Sequence, residues 1–419
     1  MVFDPMRLTR RDLLVASSRI LPVLGGAGLA LAGLERLDPA RAAASPGSLV
    51  ASGGLQDLLK TAPRARFWTT AALAGADCLQ CHTAAEALKT PGHEHDPKTV
   101  TCLLCARRCT IKSGQRGTCR ARMNVSGELR SLVYGRPVAV HVDPIEKKPF
   151  YHFLPGTTAY SLGTAGCPLR CKFCQNWQLS QSSPEDFDQP FTPPTRLVSA
   201  AAGEAPVIAF TYNEPTVFTE YLLDVASEAR RRKLRSVMVS CGFMNEAPLA
   251  EICRSLDAIK IDLKGFSETF YRTACGAALQ PVLRSLRQIA TSGVHLEIVN
   301  LVVPTLNDSD KDLQALASWV AGELGPDVPV HFTRSHPDYQ LLNLSPTPIA
   351  TLERARDIAM ARGINYAYVG NVPDHPGNHT YCPSCKKAVV ERTGFFVTTM
   401  HLKEGRCAYC ARAIAGVWR

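Results

Sequence analysis

Three cysteines stand closest to chemistry. Cys167-Pro-Leu-Arg-Cys171-Lys-Phe-Cys174 sets thiols at the spacing CxxxCxxC. Three thiolates on a short loop can hold three irons of a [4Fe–4S] cluster and leave the fourth iron open. Clusters closed by four thiolates only move electrons. The competing uses of such a loop are a zinc knuckle and a structural cluster. The chain has 16 cysteines, and 13 of them fall into four tight groups. In a chain of 419 residues such groups hold metal more often than disulfides. Cys241, Cys253 and Cys275 stand apart and read as small buried hydrophobes.

Three further groups need a reading. Cys102, Cys105, Cys109 and Cys119 bring four thiols into eighteen residues, a set that suits either a structural zinc or a second, closed iron–sulfur cluster. Cys382-Pro-Ser-Cys385 and Cys407-Ala-Tyr-Cys410 are two CxxC knuckles separated by 21 residues, with a strand-like run at 395–400 between them. That pattern reads as a zinc ribbon, in which tetrahedral thiolate binding replaces a hydrophobic core, against a rubredoxin-like iron site. Cys78-Leu-Gln-Cys81-His82 has the spacing of c-type haem attachment, with His93 and His95 as candidates for a second axial ligand. A disulfide or a loose ligand set would explain the same residues.

The elements that must position these groups are legible from about residue 157. Apolar strand runs at 159–164, 207–212, 236–240, 258–262, 295–303, 330–333 and 366–369 alternate with helical stretches at 217–233, 248–256, 281–292, 311–324 and 349–362. Apolar strands between helices predict a parallel sheet covered by helices, and six or so units predict an α/β fold with a partial (β/α)6-type barrel. Functional residues then belong at the C-terminal ends of the strands. Cys167 follows the first of these strands directly. Tyr212-Asn213-Glu214-Pro215 ends the second, and Asp262 and Lys264, two apart and so on one face, end the fourth. Each has a plainer reading: Glu214 as a helix start, Asp262 and Lys264 as an ion pair, and His331 on the sixth strand as a core histidine. Asn300 and Asn307 flank the end of the fifth strand. The expected organisation is 1–44 leader, 45–97 linker, 98–156 cysteine-rich module, 157–375 barrel and 376–419 zinc-ribbon-like module.

The motifs in series resemble a known family. Phe173 before the last cysteine matches the aromatic common in radical S-adenosylmethionine (SAM) enzymes. Gln175-Asn176-Trp177, the run Asp143 to Gly156, Thr211 to Pro215, Ile261 to Lys264, Pro304 to Asp308 and Gly370 to Pro373 resemble the AmmeMemoRadiSam-system radical SAM proteins. These are relatives of the pyruvate formate-lyase activating enzymes. The resemblance covers about residues 98–419. It implies a [4Fe–4S] cluster on Cys167, Cys171 and Cys174, with SAM bound through Asn213, Glu214, Asp262 and Lys264. It further implies reductive SAM cleavage and hydrogen-atom abstraction from a substrate that the resemblance leaves open, a partner protein being one candidate. The alternative is a non-catalytic haem and iron–sulfur electron-transfer protein on the same barrel. Either version needs an electron donor.

The N-terminus carries Thr9-Arg10-Arg11-Asp12-Leu13-Leu14, then a weakly apolar run to Leu34 and small residues at Ala42-Ala43-Ala44. These parts predict a twin-arginine leader and export, with only transient membrane contact. Arg19 interrupts the apolar run and argues against a transmembrane helix. A cytoplasmic or membrane-anchored chain is the alternative. The net charge of +10 is spread along the chain without a lysine-rich tract, so nucleic acid is not an expected partner.

Overall fold

The structure, a computed structural model, describes residues 53–70 and 98–419. The predicted leader, His93, His95 and the Cys78, Cys81, His82 motif lie outside the described residues. Among the described residues no helix is long and apolar enough to cross a membrane.

The described residues open with helix α1 (Gly53–Thr61) and a small antiparallel sheet of β1 (Trp68–Thr70), β2 (Val100–Cys102) and β3 (Thr110–Ile111). The hairpin β4 (Arg122–Val125) and β5 (Glu128–Ser131) turns through Ser126 and Gly127, both at positive φ, as a two-residue hairpin requires. The main sheet has eight strands: β6 (Ala139–Pro144), β7 (Thr158–Gly163), β8 (Val207–Phe210), β9 (Arg235–Ser240), β10 (Ala258–Asp262), β11 (His295–Val302), β12 (Val330–Arg334) and β13 (Ala367–Gly370). Each strand lies beside its predecessor. From β7 onward all pairings are parallel, while β6 runs antiparallel along β7. Six helices make the crossovers: α2 (Pro194–Ala202), α3 (Thr219–Arg231), α4 (Glu246–Ser255), α5 (Leu279–Ala290), α6 (Asp310–Glu323) and α7 (Ile349–Ala361). A sheet wound in one direction puts its crossover helices on one face and curls into a partial barrel.

The local chemistry explains the elements. β8 is Val-Ile-Ala-Phe, buried at all four positions, as a strand covered on both faces must be. α5 buries Leu279, Val282, Leu283, Leu286 and Ile289, the i, i+3, i+4, i+7 stripe of a helix lying on a sheet. The Ser309 hydroxyl caps α6 by accepting the Asp312 N–H at 3.2 Å. The C-terminal residues form β14 (Thr380–Tyr381), β15 (Ala388–Thr393) and β16 (Phe396–Met400) in one sheet, and β17 (Leu402–Lys403) with β18 (Arg406–Cys407) in a hairpin.

Two features differ from the sequence expectation. The main sheet starts at Ala139, so a boundary at 157 would cut between two hydrogen-bonded strands. Helix α2 is not among the helical stretches expected from the sequence. Pro194 is its first residue, the one helical position where the missing N–H costs nothing.

Candidate active site at the C-terminal ends of the strands

The loop that carries Cys167, Cys171 and Cys174 leaves the C-terminal end of β7 and is braced from every side. Asn213 holds its start: Oδ1 accepts the Thr164 N–H at 3.1 Å, and Nδ2 donates to Thr164 Oγ1 at 3.2 Å and Gly166 O at 2.8 Å. Gly166 sits at φ +93°, and a Cβ there would meet the Cys119 carbonyl oxygen at 2.2 Å, so only glycine fits. A π-helical turn, Tyr271–Cys275, supplies the carbonyls of Cys275 and Ala274 to the N–H groups of Arg170 and Lys172, on either side of Cys171, both at 2.9 Å. Such turns often mark functional sites because they release backbone groups from the helix. Gln181 Nε2 donates to Leu169 O at 3.1 Å, and the Gln340 N–H donates to Lys172 O at 3.0 Å.

Tyr212 sets the geometry of the next strand end. Its φ is +72°, and the Asn213 N–H donates to the Thr211 carbonyl two residues back at 3.1 Å. A bulky residue held there costs about 1–2 kcal/mol and persists only where its surroundings impose it. They do so here: Tyr212 OH donates to Asp143 Oδ2 at 3.0 Å, and its carbonyl accepts Asn176 Nδ2 at 2.9 Å. Asp143 in turn pairs with Lys147 at 2.7 Å and Lys148 at 2.6 Å. Burial opposes its ionisation, but the two ammonium groups win and hold the carboxyl below the usual range.

Glu214 is buried with both oxygens engaged. Oε1 accepts Thr216 Oγ1 at 2.6 Å, Ser240 Oγ at 2.7 Å and the Thr216 N–H at 3.2 Å; Oε2 accepts the Cys241 N–H at 2.7 Å. It therefore caps the turn Pro215–Phe218, as the helix-start reading proposed. Its charge also reaches Cys167, where burial first and the Glu214 carboxylate second push the thiol pKa up. At the end of β10, Asp262 pairs with Lys260 and, at 3.3 Å, with Lys264. Burial opposes the ionised Asp262, but the two lysines outweigh it and lower its pKa. Lys264 lies 5.9 Å from the Phe173 ring, next to the cysteine loop. Its carbonyl accepts Asn307 Nδ2 at 2.6 Å, and the neighbouring Leu263 carbonyl accepts Asn300 Nδ2 at 2.8 Å.

Cys167, Cys171, Cys174, Asn213, Glu214, Asp262, Lys264, Asn300 and Asn307 are thus gathered at one end of the sheet, and His331 is not among them. His331 is buried lower down, 2.7 Å from Glu297 and stacked on Tyr368, a satisfied core histidine. Sequence reasoning read Cys275 only as a small buried hydrophobe and placed Asn300 at the strand end without its orphaned oxygen. Cys275 hydrogen-bonds Cys171; this contact lowers the Cys171 pKa against the pull of burial, with help from Lys264. Asn300 Oδ1 is buried without a partner among the described residues. The Cys275 contact has no local motif, because the fold brings that residue in from another element. Cys253 is buried on α4, as read.

Known proteins similar to this chain identify its family. A family model described as the radical SAM superfamily matches residues 161–319. An uncharacterized protein of Methanocaldococcus jannaschii is 41% identical over 322 residues, covering 76% of this chain and 96% of that protein. This chain belongs to the radical SAM superfamily. A pyruvate formate-lyase-activating enzyme of Clostridium pasteurianum is 22% identical over 37% of this chain and 66% of its own length. The isethionate sulfite-lyase activating enzyme of Nitratidesulfovibrio vulgaris is 26% identical over 27% of this chain and 37% of its own. The radical SAM fold implies an enzyme of radical chemistry with a [4Fe–4S] cluster and SAM. The residues fit that pair: three thiols on one braced loop, and the orphaned Asn300 acceptor buried beside Leu263 at the same strand ends.

The C-terminal cysteines form a different kind of site. The thiols of Cys382, Cys385, Cys407 and Cys410 lie within 4.8 Å of one another, with Cys382–Cys410 at 3.6 Å and Cys385–Cys407 at 3.7 Å. Four sulfurs bound tetrahedrally at 2.3 Å stand about 3.8 Å apart, so the spacing fits one ion.

Proposed function

We propose that this protein cleaves SAM reductively and abstracts a hydrogen atom from a protein or peptide substrate. The observation that carries the reading is the three-thiol loop braced at the end of β7 beside Glu214, Asp262 and Lys264. Cys167, Cys171 and Cys174 would hold the [4Fe–4S] cluster. When bound, it supplies the electron that opens a sulfur–carbon bond of SAM and releases a 5′-deoxyadenosyl radical. The chain's part is positional. Asn213, the π-helical turn and Gln181 fix the loop. Lys264 sets a cation beside Cys171, and Asp262, between Lys260 and Lys264, stays ionised to receive the SAM ammonium group. Asn300 Oδ1 offers a second acceptor.

A macromolecular substrate is supported by the names of the relatives, which activate other enzymes, and by the surface beside the loop. Trp177 is partly exposed and stacks on Tyr339 at 5.3 Å, and the exposed Leu342 follows on the same segment. The series of motifs supports membership of the AmmeMemoRadiSam-system proteins. For the C-terminal thiols, the single-ion spacing supports a structural zinc. The sequence of the leader supports export, which a marker fused after Ser45 tests by fractionation.

The deciding experiment is anaerobic. The leaderless chain is reconstituted with iron and sulfide, reduced and given SAM, and 5′-deoxyadenosine is quantified. Product is expected from the intact chain and is expected to be lost in Cys174→Ala. A reducible cluster whose EPR signal SAM leaves unchanged would sink the proposal.

A further inference from the structure

We propose that Cys102, Cys105, Cys109 and Cys119 hold a second iron–sulfur cluster, of the four-iron type, packed directly against the SAM-cleaving loop. The four cysteines line one nearly enclosed, almost wholly apolar cavity, together with Arg107, Arg122, Pro168 and Thr216. Cysteines scattered on a surface do not converge in this way.

Spacing separates a cluster from a zinc. Around one ion, four thiolate sulfurs sit about 3.8 Å apart. In a four-iron cluster each thiolate binds its own iron, and the sulfurs stand farther apart. The chain contains both controls. Cys382, Cys385, Cys407 and Cys410 close to within 4.8 Å of one another. The superfamily's cluster ligands, Cys167, Cys171 and Cys174, form no such close group among the described residues, and neither do Cys102, Cys105, Cys109 and Cys119. The N-terminal thiols therefore do not close into the tight single-ion group that the C-terminal thiols form.

Unused donors supply a second, independent observation. Arg122 lines the cavity and is 1% exposed. One of its nitrogens, NH2, pairs with Glu220 at 2.5 Å, while Nε and NH1 are buried without a hydrogen-bond partner among the described residues. With its charge already met by Glu220, a buried guanidinium with two idle donors still calls for further acceptors. A cluster bound by four thiolates is anionic, and its sulfurs accept N–H groups.

The location fits a redox role, because a closed cluster has no open iron for SAM and can only carry an electron. Arg107, between Cys105 and Cys109, donates Nε to Pro168 O at 3.0 Å and also donates to the carbonyl of Gly276, next to Cys275. The Cys119 carbonyl abuts Gly166, one residue before Cys167.

The test removes the SAM-site ligands so that only the second site can hold a cluster. The chain carrying Cys167→Ala, Cys171→Ala and Cys174→Ala is reconstituted anaerobically with iron and sulfide. Iron, sulfide and zinc per chain are then measured with Mössbauer spectra. About four irons, four sulfides and one zinc are expected, against about eight irons in the intact chain. Adding Cys105→Ser to the triple variant should release the iron and leave the zinc. Two zincs without sulfide, or no bound iron, would overturn the proposal. Should the triple variant not fold, the intact chain decides: four irons in place of eight gives the same negative answer. The proposal goes beyond the SAM-cleavage reading and fails separately from it, since that reading is tested by 5′-deoxyadenosine and the response of EPR to SAM.

Discussion

Asn213 links two strands through one amide: its three hydrogen bonds tie the end of β8 to Thr164 and Gly166 on the loop before Cys167. Asn213→Ala leaves the buried Thr164 N–H and Gly166 carbonyl without these partners, a loss of about 2 kcal/mol. Iron retained after desalting should fall several-fold while the fold persists by circular dichroism. Unchanged iron retention would show that the loop does not depend on this residue. Glu214→Gln is a sharper probe of the neighbouring carboxylate. Both oxygens accept N–H or O–H groups, so an amide nitrogen must face a donor. A cost of about 2 kcal/mol in denaturant unfolding is expected, and a smaller loss of stability would mean that the amide finds new partners. The cysteine loop was legible in the sequence because its ligands are seven residues apart. The cap role of Glu214 was legible as a helix start, but its bonds to Ser240 and Cys241 were not, because those residues arrive with β9.

At the scale of elements, the contact between the two cysteine loops rests on a glycine. Gly166→Ala adds a Cβ at φ +93° against the Cys119 carbonyl, so the backbone must move. Gly114→Ala is the control: φ is +80°, but nothing lies within 4 Å. The control should cost roughly 1 kcal/mol for the backbone conformation alone, and Gly166→Ala about 3 kcal/mol or more. Equal costs would show that the loops are not packed as described. The sequence showed seven parallel strands and five helices because their apolar runs and stripes are local. It did not show β6, whose alternating Ala-Val-His-Val-Asp is exposed along an edge and lacks a buried run. It did not show α2, because prolines that usually break helices here begin one. Nor could it divide the Cys102–Cys119 set between zinc and cluster, since ligand count is the same for both and only the folded spacing differs.

At the scale of the molecule, the end of the sheet opposite the cysteines is closed by the 150–154 segment and the C-terminal module. The Val417 N–H donates to His152 O and the Leu154 N–H to Val417 O, both at 2.7 Å. Arg392 donates to Tyr151 O at 2.8 Å and lies 4.0 Å from the Tyr151 ring. Glu297, fully buried, accepts the N–H groups of Tyr151 and His152 and faces His295 and His331. His152 is set between Ala415 O and Tyr368 OH, each at 2.5 Å, with the rings of Tyr366 and Trp418 against it. A carbonyl only accepts, so Nδ1 carries the proton and Nε2 takes the tyrosine hydroxyl; the neutral ring satisfies both. Burial pushes its pKa down to about 3, against the opposing pull of Glu297. The sign follows. Unfolded, the ring titrates near about 6.5. Below that pH the unfolded chain binds a proton that the folded chain refuses until about pH 3. Stability is therefore complete above about 6.5 and falls as the pH drops, by about 1.4 kcal/mol per unit from this group. His331, lowered by burial, adds in the same direction. Glu297, whose pKa the paired histidines hold down despite burial, contributes only below its ordinary range near about 4.5. Between pH 5 and 6.5, at saturating zinc, the unfolding free energy should fall with acid, and His152→Gln, which keeps one donor and one acceptor, should flatten the slope by about 1 kcal/mol per unit. An unchanged slope would mean that His152 takes up its proton in the folded protein, and that this end of the sheet opens before the rest.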